Sequence, residues 1–191
     1  RSSCPLLTGS ATLSSSAWWG GVPVVVEATE AEHFKITPEK LAAAITPKTK
    51  CMILNNPSNP TGMMYSRKEL EEIAKVCVEK DIYVISDEIY YRLAYDNEEF
   101  VSFAALGEDV KARTLLVNGV SKSYAMTGWR IGYVAAPAAI SKVIGNYLAT
   151  APVPPVPSPR LPPLRLSLPL RRPWRRCARP LRSAATIWWS A

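Results

Sequence analysis

Residues 115–117 form an apolar run, and the Ser-rich turn that follows it carries Lys122. Further on, Arg130 comes two residues after a glycine and opens a second apolar run. A lysine held at the end of a strand can act as an amine nucleophile. An arginine nearby can grip a phosphate bidentately through its planar fork. Asp87, just past the apolar run at residues 82–86, offers a carboxylate that could pair with a protonated ring nitrogen. Each group has an ordinary alternative. A lone lysine after a strand is commonly a solvated charge, an Asp-Glu pair at a strand end is commonly a turn or cap, and Arg130 could pair with an acidic neighbour.

These residues must be positioned by a fold, and composition bounds which one. The chain has 191 residues, 48% of them hydrophobic, which suits one domain with a sizeable core. No apolar run approaches the ~20 residues a membrane span needs. The four cysteines (Cys4, Cys51, Cys77 and Cys177) share no metal-ligand spacing, and His33 is the single histidine. A reducing cytoplasm is the expected compartment, with no metal site. The net charge of +7 is uneven: residues 151–191 hold eight arginines and no acidic residue, and the rest of the chain is close to neutral.

Along the chain, strand and helix signals alternate. Residues 22–27 are rich in β-branched types and read as a short buried strand. Thr37-Pro38 reads as a helix start, and residues 50–54 as the next strand. The loop Asn55-Asn-Pro-Ser-Asn-Pro-Thr-Gly62 follows it. Ser66 and Glu69 have capping-box spacing ahead of the stripe Leu70, Ile73, Ala74 and Cys77. Strands are expected at 82–86, 115–117 and 131–135. A helix opened by Pro137 should place Ile140, Val143, Ile144 and Tyr147 on one face. This alternation predicts a largely parallel α/β sheet with helices on its faces. Ligands of such sheets bind beyond the carboxyl ends of the strands, where Asn59, Asp87, Tyr90 and Lys122 could converge.

An imine-forming lysine, a phosphate holder and an acidic partner for a pyridinium nitrogen are what pyridoxal phosphate requires. The motifs are more specific than that. Asn59-Pro-Thr-Gly62, Asp87-Glu-Ile-Tyr90 and Ser121-Lys-Ser-Tyr-Ala-Met-Thr-Gly-Trp-Arg-Ile-Gly132 occur in this order. In order and spacing the chain resembles a class I aminotransferase of fold type I, from the branch containing bacterial aspartate aminotransferases. The resemblance covers about residues 20–148. It implies a mostly parallel sheet flanked by helices, a homodimer of the intact protein, and amino acid and 2-oxo acid substrates. It also implies roles: Lys122 as the imine lysine and proton carrier, Asp87 at the ring nitrogen, and Asn59 and Tyr90 on the phenolic oxygen. Arg130 would take the phosphate with help from Ser121, although Gly119 stands where some relatives place a second serine. The alternatives are another enzyme using the same cofactor, such as a β-eliminating lyase, and a nucleic-acid-binding module that works through a basic tail.

The resemblance stops at both ends. Residues 1–19 and 149–191 depart from the family, the latter with a Pro/Arg-rich composition, and both read as out of frame around a partial cofactor-binding domain at 20–148. Joining the last base of each codon to the first two of the next permits family-like segments across residues 6–13, 156–160 and 175–189. Resequenced coding DNA with no indel near Gly20 and Leu148 would refute this. The resemblance then implies that the family's Gly-rich phosphate loop, its ring-stacking aromatic and its carboxylate-binding arginine are missing. The expected sheet is a four-stranded remnant built from the runs at 51, 82, 115 and 131, with exposed edges and no neighbour for the strand at 22.

Overall fold

The computed structural model describes residues 3–6, 21–95 and 98–150. Six strands form one sheet: β1 (Ser3–Leu6), β2 (Val22–Val25), β3 (Cys51–Asn55), β4 (Tyr83–Asp87), β5 (Thr114–Gly119) and β6 (Gly132–Ala135). Their order is β2-β1-β3-β4-β5-β6, with every pairing parallel except the antiparallel β5–β6. The helices are α1 (Pro38–Ala44), α2 (Arg67–Glu79), α3 (Glu108–Lys111) and α4 (Ala138–Thr150). The expected α/β architecture is present.

The expected four-stranded sheet is corrected to six strands. The strand at Val22 does have a neighbour, because β1 pairs with it in parallel from Ser3↔Val22 to Leu6↔Val25. Leu6 then joins this pair to β3 at Ile53. Backbone hydrogen bonding makes few demands on side-chain type, so a segment without periodicity can still complete a sheet. The edge expected at the run at 51 is therefore covered by β1, and β2 is outermost instead, with Val22 42% and Val25 56% exposed. The remaining residues of the segments 1–19 and 149–191 lie outside the described residues, apart from the end of α4.

Helix starts follow the local chemistry. Thr37 accepts a hydrogen bond from Lys40 N–H at 3.3 Å and caps α1, with Pro38 in the first turn. At α2, Ser66 N–H donates to Glu69 Oε2 at 2.7 Å while Glu69 N–H donates to Ser66 Oγ at 3.4 Å. Leu70, Ile73, Ala74 and Cys77 of α2 are all buried, as their spacing predicts. They pack with Leu41, Met52, Leu54, Ile82, Val84 and Phe103 into one core.

That core lies on one face of the sheet. Met52, Leu54, Val84 and Ser86 point into it, while Ile53, Ile85, Leu115 and Val117 alternate to the other face and are only half-buried. Parallel sheets ordinarily have both faces covered; among the described residues the buried core lies on one face. The helix at 138–150 forms as predicted, but none of its residues is buried and Val143 is 67% exposed. Among the described residues no helix is long and apolar enough to cross a membrane.

Candidate functional site

Three parallel strands end together. Asn55, Asp87 and Val117 are in register across β3, β4 and β5. The antiparallel β6 begins at the same edge, with Gly132 opposite Gly119. Asn59 lies in the loop after β3, Tyr90 in the turn after β4, Ser121 and Lys122 in the turn after β5, and Arg130 just before β6. The sheet therefore brings all the predicted site residues to one edge, on the face opposite the core for Asp87.

The loop after β3 is held by two asparagines that sequence reasoning passed over. Asn55 Nδ2 donates to Asp87 O at 3.1 Å, and Asn55 Oδ1 accepts from Asn59 N–H at 2.8 Å. Asn56 N–H donates to Asp87 O at 3.0 Å, and Asn56 Oδ1 accepts from Tyr65 N–H at 3.0 Å. Both side chains are buried and serve the backbone, whereas Asn59 is exposed. Composition marks this stretch only as a loop. Which asparagine faces outward depends on where β3 ends.

Asp87 is half-buried, and Ile89 N–H donates to its Oδ1 at 3.2 Å. Burial pushes its carboxyl above the ordinary aspartate range, and the Ile89 hydrogen bond only partly opposes this. No basic side chain among the described residues forms an ion pair with it. A carboxylate in this state favours a cationic hydrogen-bond donor.

Glu88 points the other way, a second residue that sequence reasoning missed. It is 3% exposed, and its Oε1 accepts from Ser86 Oγ at 3.0 Å, Ser102 Oγ at 2.9 Å and Phe103 N–H at 3.0 Å. Burial raises its pKa, with the three hydrogen bonds opposing. Its backbone N–H also donates to Val117 O at 2.9 Å. The adjacent carboxylates thus divide the work: Glu88 ties down the backbone behind Asp87, and Asp87 is left facing the open side.

The lysine turn closes on itself, with Tyr124 N–H donating to Val120 O at 3.1 Å and Ala125 N–H to Lys122 O at 3.3 Å. Lys122 is exposed, and its Nζ lies over the Tyr90 ring, 5.5 Å from the centroid. Ser121 is half-buried. Ser123 is 2% exposed, and its Oγ has no hydrogen-bond partner among the described residues. A Cβ on Gly119 would lie 2.8 Å from Ile131 O and 3.1 Å from Ile89 Cδ1, so a second serine does not fit there. Arg130 is exposed with φ 50°, in the left-handed region, and its Nη1–H donates to Thr127 O at 3.3 Å. Non-glycine residues held there carry backbone strain, which often accompanies function.

His33 is an exposed turn residue. Cys77 is buried, and burial pushes its thiol up to about 12. Among the described residues no group of His, Cys, Asp or Glu side chains could hold a metal ion.

The family model for aminotransferase class I and II matches residues 12–159. The chain is 59% identical over 116 residues to an aspartate aminotransferase of Bacillus sp. (strain YM-2), covering 61% of this chain and 30% of that protein. It is 51% identical over 113 residues to an asparagine–oxo-acid transaminase of Streptococcus mutans, covering 59% of this chain and 29% of that protein. The fold matches an aspartate aminotransferase from Rhizobium meliloti with TM-score 0.76 at 36% identity, over 79% of this chain and 38% of that one. A Thermus thermophilus aspartate aminotransferase with maleate matches with TM-score 0.74 at 38% identity, over 78% of this chain and 39% of that one. The chain spans about a third of the length of the curated relatives it matches.

Proposed function

Because this chain belongs to the class I and II aminotransferase family, we propose that it forms part of the pyridoxal-phosphate site of an enzyme moving an amino group between an amino acid and a 2-oxo acid. The names of relatives at 59% and 54% identity favour aspartate as the amino donor. The observation that carries this reading is Asp87, a half-buried strand-end carboxylate raised by burial and lacking a basic partner among the described residues.

The residues present fit the cofactor. Asp87 would hold a proton at its ring nitrogen, a contact that replaces the missing cation. Tyr90, under the lysine Nζ, and Asn59, in the loop after β3, would bind the cofactor's phenolic oxygen. Arg130, exposed and without a carboxylate partner among the described residues, would bind the phosphate beside Ser121. Pyridoxal phosphate, when bound, supplies an electron sink for charge developing at the substrate α-carbon. Lys122 would hold the cofactor by condensing through Nζ with its carbonyl carbon, with loss of water, and, once the substrate amine has displaced it, the freed Nζ would carry a proton between substrate atoms. The Tyr90 ring, 5.5 Å from Nζ, would bias the position of the amine before that bond forms.

Borohydride reduction of the chain mixed with pyridoxal phosphate, followed by peptide mass spectrometry, tests the proposal. Cofactor should be fixed on Lys122 and lost in Lys122→Ala. Labelling scattered over surface lysines, with no preference for Lys122, would overturn it.

A further inference from the structure

Two turns at the site edge exchange cations. Lys122, from the turn after β5, lies over Tyr90 of the turn after β4. Arg92, next to the latter turn, reaches the opposite way: its guanidinium carbon is 5.4 Å from the centroid of the Tyr124 ring. Tyr124 is two residues from Lys122 and is locked to it by the closed turn from Val120.

Arg92 is itself aimed. Its Nε–H donates to Tyr91 OH at 2.7 Å, and its guanidinium carbon lies 5.3 Å from the centroid of the Tyr91 ring. The Tyr91 ring is braced edge-on by Phe100, with centroids 5.9 Å apart. Tyr91 N–H donates to Glu88 O at 3.0 Å, which connects the assembly to the end of β4. On the other side, Val120 N–H donates to Ile131 O at 3.3 Å. The path therefore runs from the Asp87-bearing strand end, through Arg92 and Tyr124, to the lysine turn.

The two cation–ring contacts have different fates. Lys122 gives up its ammonium charge when its nitrogen bonds a carbonyl carbon, and its attraction to the Tyr90 ring goes with that charge. The Arg92–Tyr124 contact keeps its cation and remains. We propose that Arg92 is a positioning residue that keeps the Lys122 turn in register with Asp87 while the lysine amine is engaged, an inference resting on the cofactor reading above. Arg92 touches neither reacting atom in this scheme. It acts through Tyr124.

Borohydride trapping rates of Lys122 at saturating pyridoxal phosphate, measured on the 191-residue chain, test this. A cation–ring contact of this kind is worth about a fivefold change. Arg92→Met should slow trapping about fivefold, and Arg92→Lys, which keeps the cation, should restore most of the rate. Tyr124→Leu should slow trapping similarly, Tyr124→Phe should not, and Arg92→Met with Tyr124→Leu should be no slower than either alone. Hydrogen exchange without cofactor provides a second measurement, and Arg92→Met should speed exchange at residues 120–125. Trapping in Arg92→Met equal to the parent, or equal slowing in Arg92→Lys and Arg92→Met with a lowered melting point, would overturn the inference while leaving the cofactor reading intact. Failure of the parent chain to trap at Lys122 would overturn the cofactor reading. Unchanged exchange in Arg92→Met would then overturn the clamp as well.

Discussion

Lys122 and Tyr90 come from turns that follow different strands, and the lysine Nζ lies 5.5 Å from the centre of the tyrosine ring. The contact depends on the parallel register of β4 and β5, which sets Asp87 beside Val117 and so places the two following turns side by side. A ring face attracts an ammonium by about 0.5–1 kcal/mol at an exposed site, enough to bias the amine without fixing it.

Tyr90 should therefore separate into ring and hydroxyl functions. Tyr90→Leu is expected to release the Lys122 ammonium from the ring and raise its acylation rate by an amine reagent about threefold, while Tyr90→Phe leaves that rate unchanged. Cofactor retention should fall in both, because the hydroxyl that would bind the phenolic oxygen is gone. Peptide-resolved labelling and equilibrium dialysis measure the two effects.

Asp87 carries a pH signature of known sign. Its pKa in the folded chain lies above the free-aspartate value of 3.8, so the folded state binds the proton more tightly than the unfolded state. That contribution is present below the unfolded value and is lost as pH rises through the folded one. Without cofactor, Asp87→Asn should melt higher than the parent at neutral pH, and the gap should close below pH 3.8. Glu88 is also raised by burial, so the informative quantity is the difference between variant and parent. With cofactor the order should reverse, since the asparagine variant gains little from binding. Thermal melts across pH, with and without pyridoxal phosphate, check both halves.

Glu88 is expected to be structural. Glu88→Ala leaves the Ser86 and Ser102 hydroxyls and the Phe103 N–H without their acceptor. Leaving buried donors unmade costs about 1–3 kcal/mol, so urea unfolding should register a loss of about 3 kcal/mol. Glu88→Gln keeps an acceptor oxygen and should lose less. Equal stability of the alanine variant and the parent would show that the three hydrogen bonds are not holding the turn.

Ser123 points to a gain. Its buried hydroxyl has no partner among the described residues, so Ser123→Ala should stabilise the chain by about 1 kcal/mol. A measured loss in urea unfolding would mean that the hydroxyl has a partner in solution.

The strand-end placement of the candidate site residues was legible because its signals are local. The capping box at Ser66–Glu69 and the stripe from Leu70 to Cys77 need only helical periodicity. Lys122, Asp87 and Asn59 each follow an apolar run, so their place at strand ends could be read one segment at a time. The loop asparagines, Glu88 and Ser123 were not legible in this way. Asn55 and Asn56 differ from Asn59 only in the hydrogen bonds they make to Asp87 and Tyr65. Glu88 differs from Asp87 only in the face it takes. The exposed helix at 138–150 had the right pattern, yet no residue of it is buried.

Residue types and their order by themselves determined helices α1, α2 and α4, strands β2 to β6 and the chemical groups available, because propensity, capping and alternation act over a few neighbours. Only the tertiary structure decided that β1 completes a six-stranded sheet, that Asp87 faces outward while Glu88 anchors it, and that Lys122 meets Tyr90 as Arg92 meets Tyr124. Those outcomes depend on register between strands about 30 residues apart, and a one-residue slip in that register would turn every side chain to the opposite face.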